Sequence, residues 1–563
     1  MNKTEKMWVG LLVAALIGYL GCQMLQPKSA APVPAQVAQV AQAPVQAVQQ
    51  SAAVPAVAAV QAPVVPVVPV VPERLEVLER GKVRVTFSTF GARVVKVELL
   101  DYPAENREES PRVVLETGDL LGMRFEGVSG QVAYEVVREG EATLCFKGQL
   151  PNGVKVARRV TLERDYVLSV KDSFLSEAGA VVLAPRAFSV GSMVLPKAAG
   201  EALGADFLAQ GESKPEYCEG RLGKILGAGS AFLGCGTSSD ATGLPMVAQE
   251  AFNGPQAWVA LKSRFFVVLA QPEVAQPAVL TVAREANKTL KVNRVAAEFR
   301  YPALQLEAGK PVACETRLYV GPKKLGLLSD FGAHADRVMD FGFFSWVCKL
   351  LLPALNMFYA LIPNYGVAII LLTLLVRAIF WPLTRKSTIA MRKMSVIQPK
   401  LKEIQQKFKD QPQKIQQETF RLYREYQVNP FSSCLPMLVQ IPIFIALFVV
   451  LRSAVELRFA SFLWISDLSQ PENLLAGVLP LPLNILPILT AVTMGLQTSM
   501  SPSTGDAAQK RMMTWMMPIM LLFMFYSMAS ALCLYWTVSQ VLSIVQTWLI
   551  HRSAAKSEAA AKA

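Results

Sequence analysis

Histidine is nearly absent from this 563-residue chain, which holds only His334 and His551. There is no HExxH, GxSxG or Walker-type loop, so metalloprotease, serine-hydrolase and P-loop nucleotide chemistry lack their usual parts. Eight cysteines are present, none in a CxxC pair, which leaves zinc-ribbon and thioredoxin-like readings unsupported. Charge is scarce too. Asp, Glu, Lys and Arg make up 18% of the chain, where soluble proteins reach about 25%. With 52% hydrophobic residues and several runs near the ~20 apolar residues that cross a bilayer, the class is a polytopic α-helical membrane protein with a water-soluble part. No aspartate or glutamate falls inside those runs, which disfavours a carboxylate proton relay. The expectation is a protein that is not an enzyme and needs no metal or cofactor.

The chain divides by composition. Residues 1–25, MNKTEKMWVGLLVAALIGYLGCQML, pair a short basic head with an apolar run. A retained signal anchor is expected, in preference to cleavage or to lipidation at Cys22, because Tyr19 stands where lipoprotein sites favour leucine. Residues 26–72 are almost wholly Pro, Ala, Val and Gln and should form a semi-rigid tether. From 73 to 325 the hydrophobic period is two, as in KVRVTFSTF and VKVARRVTLE, with turn residues such as Pro151-Asn152-Gly153 between runs. This is the pattern of a large antiparallel β-sandwich domain. It contains no histidine, which disfavours an imidazole-dependent sugar epimerase on a similar sandwich. Cys218 and Cys235 can pair there if the domain is exported, or remain buried thiols.

Residues 326–363 suit an amphipathic helix lying in the interface. Candidate spans follow at about 364–384, 431–451, 482–500, 512–528 and 530–550, making six with the first. Charge sets the orientation. Residues 73–325 hold 32 basic and 30 acidic side chains, whereas residues 385–429 hold 11 and 4, a net +7. With the β domain outside, that loop, residues 501–511 (+1) and the tail from His551 (+2) lie inside, and residues 452–481 (−1) lie outside. Every loop then obeys the positive-inside rule, with both termini cytoplasmic and residues 26–325 exported.

The run LLTLLVRAIFWPL carries one arginine, Arg377, at a depth where a charge costs about 2.5 kcal/mol or more. Thr373 lies one turn before it, and Gln440 and Gln497 sit in other spans. Polar groups from several helices suggest a hydrated cavity, where an unpaired guanidinium attracts a carboxylate. In the +7 loop, Met394, Ile397, Leu401, Ile404 and Phe408, then Ile415, Thr419, Leu422 and Tyr426, recur at spacings of three and four about a break at Asp410-Gln411-Pro412. That spacing predicts a helical hairpin with an apolar seam and a basic outer face. Nine of the twenty methionines fall between Met494 and Met528, a surface adaptable to many apolar sequences.

The segments YGVAIILLTLLVRAIFWPLT, QPKLKEIQQKF, REYQVNPFSSCLPMLVQIPIFIALF, LWISDLS, TSMSPS and LYWTVSQVLSIVQTWLI, in order over residues 325–552, resemble the YidC family of membrane protein insertases in its longer Gram-negative form. The resemblance implies a five-span core (364–552, including the cytoplasmic hairpin 385–429) and a short cytoplasmic tail, 553–563. The core would enclose a hydrophilic groove open to cytoplasm and lipid, and the β domain would be the family's periplasmic supersandwich. Arg377 falls on the groove arginine and Thr373 on a groove-lining position. Gln440, Ile441 and Phe444 fall in the client-contacting part of the third span, and Tyr535 and Trp536 in that of the last. Relatives commonly carry a second tyrosine where Trp536 stands. The implied function is insertion of nascent hydrophobic segments into the inner membrane, alone or with the Sec translocon and its accessory subunits. Ribosome contact through the basic hairpin and contact with membrane lipids are further implied partners, without sequence-specific nucleic-acid binding. The alternatives are a small-anion transporter that uses Arg377, and a scaffold whose spans merely anchor the β domain.

Overall fold

The computed structural model describes residues 72–563, apart from 108, 129–130, 196–201, 219–221, 226–246, 285–291, 410, 427–434, 477–481, 501–511 and 563. The expected anchor, tether, Cys22 and Cys235 lie outside the described residues. Cys218 is a buried free thiol, and burial pushes its pKa up to about 12.

Alternation of apolar and polar residues becomes sheet. Strands β1 (Leu75–Arg80), β2 (Val83–Ser88), β3 (Arg93–Pro103) and β4 (Arg112–Leu115) pair antiparallel in chain order. Val83, Val85 and Phe87 of β2 and Val97 and Leu99 of β3 are fully buried, as period-two patterning requires, and a register shift between Lys96 and Val94 buries Val94 with them. A thirteen-stranded sheet takes up most of the rest through Pro322, with a separate two-stranded pair beside it. Every ladder between these strands is antiparallel, and only the isolated bridge of Ser176 with Ala308 among the described residues is parallel. The Phe87 and Phe146 rings, 5.8 Å apart, join the small sheet to the large one. Beside them Arg158, 1% exposed, donates from Nε to Asp172 Oδ1 at 2.6 Å and from Nη2 to Oδ2 at 3.1 Å. Its Nη1 donates to the Ala92 and Leu121 carbonyls, so one guanidinium closes the loops of the small sheet onto the large one.

Helices follow. They are α1 (Leu325–Phe331), α2 (Ser345–Leu361), α3 (Tyr365–Lys407), α4 (Pro412–Glu425), α5 (Leu435–Ser453), α6 (Ile485–Met500), α7 (Met517–Phe525) and α8 (Ser530–Lys562). Among the described residues three helical stretches are long and apolar enough to cross a membrane, Gly342–Leu361, Tyr365–Met391 and Ser530–Ile550. Gln440–Ser453, Ile485–Met500 and Thr514–Phe525 are shorter apolar helices. The segment expected to be amphipathic forms α2, whose buried residues include Val347, Leu351 and Leu355. Its outer side is apolar as well, carrying Trp346, Leu350 and Met357. In α3 the Asn364 side chain caps the first turn by accepting from the Val367 N–H at 3.1 Å. Helix α8 packs against α6 and α3, and α2 packs against α3 and α5.

The β domain grips the helical part through hydrogen bonds to backbone carbonyls. Trp258 Nε1 donates to Ala333 O at 2.8 Å, and the Tyr217 hydroxyl donates to Arg337 O at 3.0 Å. Arg264 donates to Arg452 O at the end of α5 (2.8 Å) and to Ser469 O (2.7 Å). In the reverse direction Arg458 donates to Pro103 O (2.6 Å) and Ala104 O (3.1 Å). Removing one member of a buried pair strands the other's charge. Asp172→Ala should therefore lower the unfolding free energy of the full chain in detergent by about 3–5 kcal/mol. A denaturant titration that follows β-domain fluorescence measures this.

Candidate functional site

Arg377 sits in the first half of α3, twelve residues after Tyr365. Among the described residues no carboxylate neutralises it. Its Nε donates to Ser539 Oγ at 3.1 Å, and its Nη2 donates to Ser539 O at 2.9 Å and to the same Oγ. A planar fork suits this double grip on one residue, and lysine cannot reproduce it. Among the described residues Nη1 has no hydrogen-bond partner. The charge is held by uncharged oxygens and keeps one edge unclaimed.

Around it a pocket is lined by Thr373, Val376, Phe380, Leu383 and Thr384 of α3, Gln440 and Ile443 of α5, and Tyr535 and Ser539 of α8. The Tyr535 phenol faces Ser539 and Gln440 across it. From Thr373 to Thr384 the pocket follows about 16 Å of α3, toward the basic hairpin. Its volume is about 20 Å³, room for about one water molecule. Anything larger enters only if α3, α5 and α8 move apart. The Thr373 hydroxyl is buried and donates to Ile369 O of its own helix at 2.7 Å, leaving its lone pairs as acceptors.

Of the seven expected site residues, the structure gathers Thr373, Arg377, Gln440 and Tyr535. Ile441, next to Gln440, is 42% exposed and does not line the pocket. Phe444 and Trp536 lie outside it and form an edge-to-face pair with centroids 4.7 Å apart, with Phe525 at 5.5 Å from Trp536. Among the described residues the buried Trp536 Nε1 has no hydrogen-bond partner, so what places this ring is its packing against Phe444 and Phe525. Gln497, on α6, does not line the pocket either.

Sequence reading missed Ser539, Thr384 and the polar ladder of α8. The Thr537 and Thr490 hydroxyls meet at 2.7 Å between α8 and α6, and Gln546 donates to Thr384 between α8 and α3. A signal existed, because Ser539 stands four residues after Tyr535 and so shares its face. Below the pocket α4 folds back on the end of α3. Ile397 and Leu422 are buried there, with Met394, Leu401, Ile404, Tyr423 and Tyr426 packed around them.

A family model described as 60Kd inner membrane protein matches residues 357–558, and one described as YidC periplasmic domain matches residues 237–353. A Membrane protein insertase YidC of Nitratidesulfovibrio vulgaris is 32% identical over 424 residues, covering 73% of this chain and 71% of that protein. The chain belongs to the YidC family. The protein of the same description from Syntrophobacter fumaroxidans is 38% identical over 304 residues, 53% of this chain. That alignment spans about half of the relative's length, 54%. A solved structure described as an active YidC insertase with the first transmembrane domain resolved is 20% identical. It covers 84% of this chain and 94% of its own, with a TM-score of 0.34. These family members have insertase names, and none is described as a transporter.

Replacing Ser539 by Ala removes the hydroxyl from both guanidinium donors. The unfolding free energy should fall by about 1.5–3 kcal/mol, the range for hydrogen bonds to a charged group. Ser453→Ala, whose hydroxyl bonds only Val449 O of its own helix, should change it by well under half as much. Thermal unfolding of the full chain in detergent compares the two.

Proposed function

We propose that this chain is a membrane protein insertase that moves nascent hydrophobic segments from the cytoplasm into the inner membrane without ATP. The observation that carries the reading is Arg377, a cation at membrane depth held only by Ser539 and with Nη1 unclaimed. A site of that kind favours a transient anionic guest over a permanent one. The acidic N-terminal tail of a client supplies that guest. It displaces part of the Ser539 grip, and its carboxylate takes the free edge of the fork.

The path runs as follows. The +7 hairpin receives the client on the cytoplasmic side. The tail enters between α3, α5 and α8 as they part, and Arg377 lowers its crossing penalty. The apolar segment moves along the outer faces of the spans, where Met512, Met516, Met517, Met520 and Met524 are exposed beside Trp515 and Phe523. Transfer of apolar surface out of water drives the step. The membrane potential adds about 2.3 kcal/mol per acidic charge per 100 mV. No covalent chemistry is needed, and the function is not enzymatic.

In this reading residues 1–25 are a first span, 26–72 a tether, 73–325 a periplasmic domain and 326–363 an interfacial region. Five further spans within 364–552 complete the core, with both termini and the tail 553–563 cytoplasmic. Ile441, Phe444, Tyr535 and Trp536 belong to the client's route. The Sec translocon and its accessory subunits, the ribosome and membrane lipids are the partners.

In proteoliposomes offered a small single-span protein, Arg377→Ala should slow insertion of a client with an acidic tail by about tenfold, equivalent to about 1.4 kcal/mol. A client with a neutral tail should be slowed much less. Protease protection of the inserted tail reads both rates, and equal effects on the two clients would exclude the charge role.

A further inference from the structure

The family motif LWISDLS lies in the connection between α5 and α6 and plays no part in the groove. Phe462 and Ile465 exchange both backbone hydrogen bonds at 2.9 Å, closing a two-residue loop of Leu463 and Trp464. Leu463 has φ +51°, a left-handed backbone in which glycine is the usual occupant. Its side chain is 75% exposed, and that of Trp464 is 44% exposed. A strained backbone that presents two large apolar side chains outward gains nothing for folding and marks a contact surface.

The rest of the connection fixes where that surface stands. The Asp467 carboxylate accepts from the Phe459 N–H (3.1 Å) and the Ser469 N–H (2.8 Å), and Asn106 of the β domain donates to Ser466 O at 2.8 Å. Polar groups next to the tip are thus consumed within the protein. Behind the tip, the Phe462 ring lies on Gly366, so close that a Cβ there would fall 2.1 Å from it. Gly366 is in the first turn of α3, which sets the tip level with that end of the helix. At the same end Tyr359 and Tyr365 stack with centroids 4.0 Å apart, and Leu361 and Ile362 are exposed. Aromatic and aliphatic side chains gathered at the end of a span are the composition of a membrane–water border.

We propose that Leu463 and Trp464 form an interfacial anchor, inserted into the outer leaflet beside the outer end of α3. The occupant is phospholipid. The tip carries no charge with which to recognise a protein surface, and it stands where α3 passes into the headgroup region. The inference rests on α3 being a span and not on insertase activity.

The test uses the full chain with Leu463→Cys or, separately, Trp464→Cys, each labelled with an environment-sensitive maleimide dye. The unsubstituted chain, labelled in parallel, gives the background. In vesicles of phosphatidylethanolamine and phosphatidylglycerol, lipid spin-labelled near the headgroup should quench both dyes by about twofold, and aqueous iodide should leave them unchanged. Val247→Cys, on an exposed strand of the β domain, should behave in the opposite way and reports that the protein is folded. Quenching of both tip dyes by iodide alone would overturn the proposal by placing the loop in water. Protection from both quenchers would overturn it equally, by placing a protein partner or a second copy over the tip.

Discussion

A guanidinium inside a bilayer must find either a carboxylate or enough neutral oxygen, and this fold supplies the second. Ser539 gives Arg377 a hydroxyl and a carbonyl from a neighbouring helix. That choice shapes the helical core. Helix α8 has to lie against α3 at one register, which the Gln546–Thr384 bond and the Thr537–Thr490 bond to α6 also enforce. A buried carboxylate would have made a stable, inert ion pair. Neutral oxygens leave the positive potential in place while keeping the arginine folded into the protein.

The end of the core that meets the β domain is built differently. Arginines on both sides of the junction, Arg264 and Arg458, reach across it to carbonyls where helices or strands end. These bonds satisfy acceptors that would otherwise face water or lipid, and they bind the β domain to the loop between α5 and α6 at several points. The two ends of the core therefore differ in stiffness. The end that meets the β domain is cross-linked by charged donors, whereas the α3–α4 hairpin is held by a small apolar seam around Ile397 and Leu422.

Much of this was legible in the residues, for identifiable reasons. Strand alternation and the hairpin's three-and-four spacing are local, so Val83, Val85 and Phe87 announce a sheet face and Ile397 and Leu422 a seam. Arg377, Thr373, Gln440 and Tyr535 stand out because polar groups are rare in apolar runs, and the structure places all four on one pocket. Direction within α5 was not legible. It is apolar nearly all round, so nothing in its sequence says that Gln440 and Ile443 turn inward while Ile441 turns out. Nor was Ser539 legible as a partner, since a single serine in a span more often bonds its own helix. The Arg264 and Arg458 ties end on backbone carbonyls, which carry no side-chain pattern to match.

The helix that bears the cation does not stop at the membrane. From Tyr365 to Lys407 it runs for 43 residues, about 65 Å, into the hairpin with α4, with Pro382 five residues beyond Arg377. Proline there has no N–H to offer the Ala378 carbonyl, so the helix lacks one rung of its hydrogen-bond ladder between Arg377 and the hairpin. A missing rung is where a helix bends at low cost, so Arg377 and the hairpin need not move as one rigid body.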